Sequence, residues 1–149
     1  GVPREVQNLA QLHEKAFEPY LEFWHTGDQE VGLVYQQDVL REIKAPGQFG
    51  AYWKTHQQVR VEKLDISKEF SVDEKLLRIL SGARDPLLSR SASVALAVVS
   101  VGEGHVGFLM VDGKTLGTIA PGLHMWWKFN RVIEVKQFDL RLQNMEVNG

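Results

Sequence analysis

An internal duplication constrains this chain more than any other feature, because repetition at a fixed period sets the organisation of the whole fold. Two segments about 75 residues apart follow the same order of events. The first runs Gly27-Asp28-Gln29-Glu30-Val31-Gly32-Leu33-Val34-Tyr35, reaches Ala45-Pro46-Gly47, then Tyr52-Trp53-Lys54, and closes on Val59-Arg60-Val61-Glu62-Lys63-Leu64-Asp65-Ile66. The second reads Gly102-Glu103-Gly104-His105-Val106-Gly107-Phe108-Leu109-Met110, Ala120-Pro121-Gly122, Trp126-Trp127-Lys128 and Ile133-Glu134-Val135-Lys136-Gln137-Phe138-Asp139-Leu140. A one-residue slip after the Pro-Gly aligns both ends. A Pro-Gly pair alone carries no weight, whereas four landmarks in one order do.

Each landmark has a structural cause. Alternation of apolar and charged residues in Val59-Arg60-Val61-Glu62-Lys63-Leu64 and Ile133-Glu134-Val135-Lys136 predicts half-buried strands. Pro46 and Pro121 fix φ, and Gly47 and Gly122 tolerate positive φ, so the chain is expected to reverse at both pairs. Asp112-Gly113 lies between the apolar runs 106–111 and 116–119 and predicts a hairpin; Gln37-Asp38 holds that place in the first copy with a weaker signal. A helix is predicted from Arg4 to about Tyr20, on Val6, Leu9, Ala10, Leu12, Ala16 and Phe17, with Pro3 suited to its first turn. A second is predicted from Ser71 to about Ser81, where Ser71-Val72-Asp73-Glu74 has capping-box form and Gly82 stops the helix. Leu21-Glu22-Phe23-Trp24 is expected to enter as a strand matching Ala95-Leu96-Ala97-Val98-Val99, and Arg84 to Ser93, with Asp85-Pro86 and several serines, reads as a looser joint. The expected fold is α+β: two tandem repeats, each a short N-terminal helix followed by a small antiparallel β meander, over residues 1–70 and 71–149.

With 149 residues, 44% of them hydrophobic and 24% charged, the chain buries a core, which argues against disorder. A formal net charge of -2 supplies no positive field for phosphate backbones, so nucleic acid is not an expected partner. Cysteine is absent, which removes disulfides, thiolate nucleophiles and cysteine-based metal sites. The apolar run Val94 to Val99 falls far short of the roughly 20 residues of a membrane-spanning helix. The chain opens on Gly1-Val2-Pro3 without Met and ends at Val147-Asn148-Gly149, and the expectation is a soluble piece of a longer protein.

Catalytic signatures are weak. His13, His25, His56, His105 and His124 form no ligand pair at metal-binding spacing, so neither metal nor cofactor is expected. Asp65 and Asp139 are equivalent and follow strands, a place that favours strand-end hydrogen bonds over acid–base chemistry. Ser89, Ser91, Ser93 and Ser100 stand outside any nucleophile-elbow motif. Gly102 to Gly107 matches Gly-x-Gly-x-x-Gly in form, but a strand instead of a helix is predicted after it. Tyr52, Trp53, Trp126, Trp127 and Phe129 recur after each Pro-Gly and are expected to close the end of a β unit; the alternative is stacking on a small ligand or sugar.

The second copy resembles the start of the stomatin, prohibitin and flotillin superfamily domain, also called band 7. The resemblance lies in Gly104-His105-Val106-Gly107, in Pro121-Gly122-Leu123-His124 followed by aromatics, and in Phe138-Asp139-Leu140-Arg141-Leu142-Gln143. The last block is similar to the Val-Asp-Leu-Arg-x-Gln segment of stomatin-like proteins, bacterial slipins in particular, and residues 1–100 then read as a degenerate copy of that opening. The resemblance implies a non-enzymatic scaffolding module of an oligomeric, membrane-associated parent, with protein partners and self-association through the parent chain, and it transfers no catalytic residues. The residues expected to hold shape or meet partners are Pro46, Gly47, Trp53, Asp65, Pro121, Gly122, Trp126, Trp127 and Asp139. The competing readings are a small-ligand or carbohydrate-binding β module using Trp53, Trp126 and Trp127, and an enzyme assembled around Asp65 and His56.

Overall fold

The computed structural model describes residues 2–55 and 58–141. Its elements are α1 (Arg4–Leu12), α2 (Glu14–Phe17), β1 (Leu21–His25), β2 (Glu30–Gln36), β3 (Val39–Lys44), β4 (Phe49–Trp53) and β5 (Val59–Asp65). They are followed by α3 (Glu74–Ser81), α4 (Pro86–Ala95), β6 (Leu96–Val101), β7 (His105–Val111), β8 (Lys114–Ile119), β9 (Gly122–Trp127) and β10 (Ile133–Asp139). Two compact units result, Gly1–Glu69 with Arg84–Ala92, and Phe70–Ala83 with Ser93–Gly149. Among the described residues no helix is long and apolar enough to cross a membrane.

The expected helix-plus-meander repeat is not what these residues build. Strand outweighs helix, 46% to 24%, so the protein is mostly β, and an α+β description holds only coarsely. A meander pairs each strand with the next; here β1 pairs with β4, and β2 lies between β3 and β5. The second unit pairs β6 with β9 and sets β7 between β10 and β8. All of these pairings are antiparallel.

In the first unit the Pro46-Gly47 turn is bound to the chain leaving β1, and β4 does not fold back onto β3. Thr26 is the centre of that contact. Its hydroxyl donates to the Ala45 carbonyl at 2.8 Å and accepts the Gln48 N–H at 2.9 Å, while its own N–H donates to Gln48 at 2.8 Å. The Gly47 N–H donates to Gly27 at 3.0 Å, with Gly47 at φ +72°. The turn therefore hands β4 to β1. Val101, equally buried, stands where β6 ends.

Two hairpins do form, β2–β3 and β7–β8, each on a two-residue turn with both residues at positive φ. Gln37 and Asp38 stand at 51° and 63°, Asp112 and Gly113 at 51° and 81°, which is type I′ geometry and matches the twist of the strands. Both ladders shift register at one place, between Val34 and Tyr35 and between Leu109 and Met110. Gly32 and Gly107 are glycine because a neighbouring chain crosses there. A Cβ on Gly32 would lie 3.2 to 3.3 Å from Lys44, Val61 and Thr26; on Gly107 it would lie 2.6 Å from Ile119 and 3.2 Å from Val101.

The helices depart from expectation at their ends. The first divides at His13, whose φ of -126° separates α1 from α2. Ala10 packs with Val2, Leu21 and Ala51, and Val6, Phe17, Phe23 and Trp53 close around them. The cap of α3 is Asp73, whose Oδ1 accepts the Leu76 N–H at 2.8 Å, whereas Ser71 lies in a β-bridge with Trp126. The expected loose joint is helix α4: the Asp85 carboxylate accepts the Leu87 N–H at 3.1 Å and its carbonyl accepts Ser89 at 2.9 Å. Asp-Pro here opens a helix, since Pro lacks only an N–H that the first turn leaves unbonded.

Thr26→Val keeps the shape of the side chain and removes the hydroxyl. The expected loss is about 1–3 kcal/mol, because the Ala45 carbonyl and Gln48 N–H stay partly buried without that partner. Urea unfolding measures it, and an unchanged midpoint would show that the Thr26 hydroxyl does not hold the turn.

Candidate functional site

A cleft of about 540 Å3 opens in the first unit, lined by residues of α1, β1, β3 and β4 with Leu87 of α4. The β1–β4 register sets Trp24 opposite Gly50, and the indole lies across the glycine: its atoms come within 2.7 to 2.8 Å of where a Cβ would stand. The Lys44 ammonium is 5.3 Å from the centre of that ring and 3.1 Å from Glu42. Two residues apart on a strand, Glu42 and Lys44 share a face, so both reach the cleft. On another wall the Arg4 guanidinium stands 4.7 Å over Phe49 and donates to Gln7 Oε1 at 3.3 Å.

Tyr52 completes the polar lining. Burial, and behind it the Glu42 carboxylate, push its phenol from 10.0 up to about 12, so it remains protonated and available as a donor. Arg4 and Lys44 against Glu42 leave one net positive charge beside two aromatic rings. That chemistry suits a flat group carrying a negative substituent. It does not pair a nucleophile with a free base, since Glu42 is held by Lys44. Among the described residues no group of three histidine, aspartate or glutamate side chains converges as a metal site.

The residues singled out in the sequence serve several separate tasks. Gly47 reaches the rim of the cleft from the Pro46-Gly47 turn. Trp53 packs on the Val2, Ala10, Leu21 and Ala51 cluster. Gly122, at φ +127°, opens β9 directly after Pro121, and His124 Nε2 donates to the Ala120 carbonyl at 2.8 Å. Trp126 and Trp127 are 4% and 0% exposed; Trp126 stacks on His124 with centroids 5.7 Å apart, and the Trp127 N–H donates to Phe70 at 2.8 Å. Neither ring offers a face to a ligand.

Asp65 and Asp139 make the same strand-end contact. Asp65 Oδ1 accepts the Ser67 N–H at 2.8 Å and the Ser67 hydroxyl at 2.6 Å; Asp139 Oδ1 accepts the Arg141 N–H at 2.9 Å. The Ser67 hydroxyl, then its N–H, hold the Asp65 carboxyl below the 3.8 of an unperturbed aspartate. His56, the partner expected for Asp65 in a catalytic reading, lies outside the described residues, as do Leu142 and Gln143.

The cleft residues Arg4, Trp24, Glu42, Lys44 and Gly50 form no sequence motif: register sets Trp24 opposite Gly50, and α1 and β3 bring the others from separate elements. Two of the three segments that carry the family resemblance meet: Leu140 donates its N–H to the Gly104 carbonyl at 2.9 Å, and Asp139 Oδ2 lies 4.0 Å from His105 Nε2. Comparison with protein-family models, curated proteins and solved structures finds no match, and nothing in it identifies a band 7 relationship.

Gly50→Ala drives a methyl into the Trp24 indole. The expected cost is about 1–3 kcal/mol with an altered tryptophan emission, and an unperturbed spectrum and stability would show that the ring does not lie on Gly50. Ser67→Ala is expected to move the Asp65 carboxyl titration, followed by NMR, up toward 3.8. Because the folded value is the lower one, the Asp65 contribution to stability is complete above the unfolded value and fades as pH falls through the folded one. A midpoint that does not move would separate Asp65 from Ser67.

Proposed function

We propose that the chain is a non-catalytic interaction module that meets protein partners through the outer face of its β10–β7–β8 sheet. The observation that carries this reading is a difference between corresponding positions. In the first unit Val31 and Leu33 on the central strand are 0% and 6% exposed. Their counterparts Val106 and Phe108, paired across β10 as Val31 and Leu33 are across β5, are only half-buried. Beside them Phe138 is 41% exposed and meets Phe108 edge-on at 5.3 Å. Half-buried Met110 continues the line. An apolar row ringed by Glu134 and Lys136 has the make-up of a contact surface.

The likeness to stomatin-like scaffolds favours the same conclusion, and attachment of a longer parent to a membrane belongs to the proposal on that ground. A small-ligand role falls to the cleft under Trp24, since Trp126 and Trp127 are enclosed. Titration with glycans or small aromatic anions while tryptophan emission is read tests that second reading.

Phe138→Lys leaves the strand in place and breaks the apolar row. In affinity capture, with folding checked by circular dichroism, the proposal expects proteins bound by the unaltered chain to be lost with Phe138→Lys. Identical captured sets would end it.

A further inference from the structure

The sheet of the first unit does not leave its outer edge bare. There α4 runs beside the edge strand β3. Asp85 lies 3.7 Å from Arg41, and further along the helix the Ser91 hydroxyl accepts the Ile43 N–H at 3.1 Å while donating to the Leu88 carbonyl at 3.1 Å. Leu88 is buried, and Arg84–Ala92 belongs to the first unit. A helix thus takes up an edge N–H that water or another strand would otherwise meet.

In the second unit β8 holds the corresponding place. Ile43 faces Leu33, and Thr118 faces Phe108, with the same bulge between ladder and turn, at Arg41 in one unit and Leu116 in the other. Bonded and non-bonded pairs alternate along an antiparallel ladder. Since the Ile43 N–H goes to Ser91, Leu33–Ile43 is a non-bonded pair, and the matched register turns the Thr118 N–H to the outer edge. Lys114 to Thr118 are all exposed, Leu116 by 58%, and among the described residues no strand pairs with that side. Lysine comes only at the end of this edge and proline not at all, so it carries few of the devices that blunt strand edges.

We propose that the β8 edge is the acceptor for a helix of the α4 kind. Such an amphipathic segment sets a serine hydroxyl on the Thr118 N–H and an apolar side chain on Leu116, and a further unit built the same way would carry one. The Arg41–Asp85 contact has no counterpart, because Leu116 replaces the arginine; an exposed pair of that sort contributes little. The proposal rests on the reading of the chain as an interaction module, but it uses the edge of the sheet instead of its outer face.

The probe is a peptide with the sequence Ala83–Ala95 carrying Asp85→Ser, which keeps a cap and removes the charge that would face Leu116. Titrated into isotope-labelled protein, it is expected to give saturable amide shifts at Thr115 to Thr118. Thr118→Pro removes the N–H and spares the ladder, so it weakens binding by roughly tenfold. Leu116→Glu, a surface change that does not depend on a proline being accommodated, weakens it as well. Shifts absent from β8, or unaltered by both substitutions, overturn the proposal. So does self-association lost with Thr118→Pro in a chain that ignores the peptide, which assigns the edge to a second copy. Peptide binding that survives Phe138→Lys separates this edge from the outer face.

Discussion

Everything in the first unit is arranged around one close crossing, in which the chain leaving β1 passes over the glycine of β2. Thr26 Cγ2 lies within 3.3 Å of where a Gly32 side chain would begin, and the Thr26 polar atoms hold the Pro46-Gly47 turn. A side chain at Gly32 would push the two small sheets apart. The second unit keeps the crossing, Val101 over Gly107, and does without the polar tie. Steric fit is the shared requirement, and the hydrogen bonds are particular to one unit.

The same framework carries different surfaces. Where the first unit has Trp24 opposite Gly50, the second has Val99 opposite His124, and the His124 ring turns onto Trp126. Where Lys44 faces Gly32 across the ladder, Ile119 faces Gly107. The first unit accordingly opens a polar cleft with aromatic walls. In the second unit these positions are filled by apolar side chains and a stacked imidazole, and half-buried Val106, Phe108 and Met110 lie on its sheet.

Strands, turns and the match of landmarks were legible because they depend on nearby residues: alternation in β5 and β10, Asp112-Gly113 in its hairpin, the paired aspartates at strand ends. Pairing was not legible, because both units pair their first strand with their fourth through contacts distant in sequence, and nothing in an isolated Thr26 or Val101 says that a turn some 20 residues on will meet it. Asp85-Pro86 misled for a related reason. The dipeptide both breaks and begins helices, and the side chains that follow, Leu87, Leu88 and Ser91, decide by what they bury and bond. The cleft has no mark in the sequence because its residues come from separate elements and converge only in the folded unit. For Trp126 and Trp127 the expectation of a closing role and the alternative of a ligand platform stay open in the sequence, because it shows that a ring is present and not which way its faces are covered; both rings are buried.

The two hairpin turns have one backbone form and unequal ease of reaching it. In the second turn only Asp112 occupies the left-handed region against the steric preference of a side chain, since Gly113 enters it freely, whereas in the first both Gln37 and Asp38 do so, at about 1 kcal/mol or more apiece. The β7–β8 ladder can therefore zip from a turn that its own local preferences already favour. The β2–β3 turn depends more on contacts distant in sequence, such as the clasp on Pro46-Gly47, to offset its strain. The two turns thus share one backbone form while the first leans more on its surroundings to hold it.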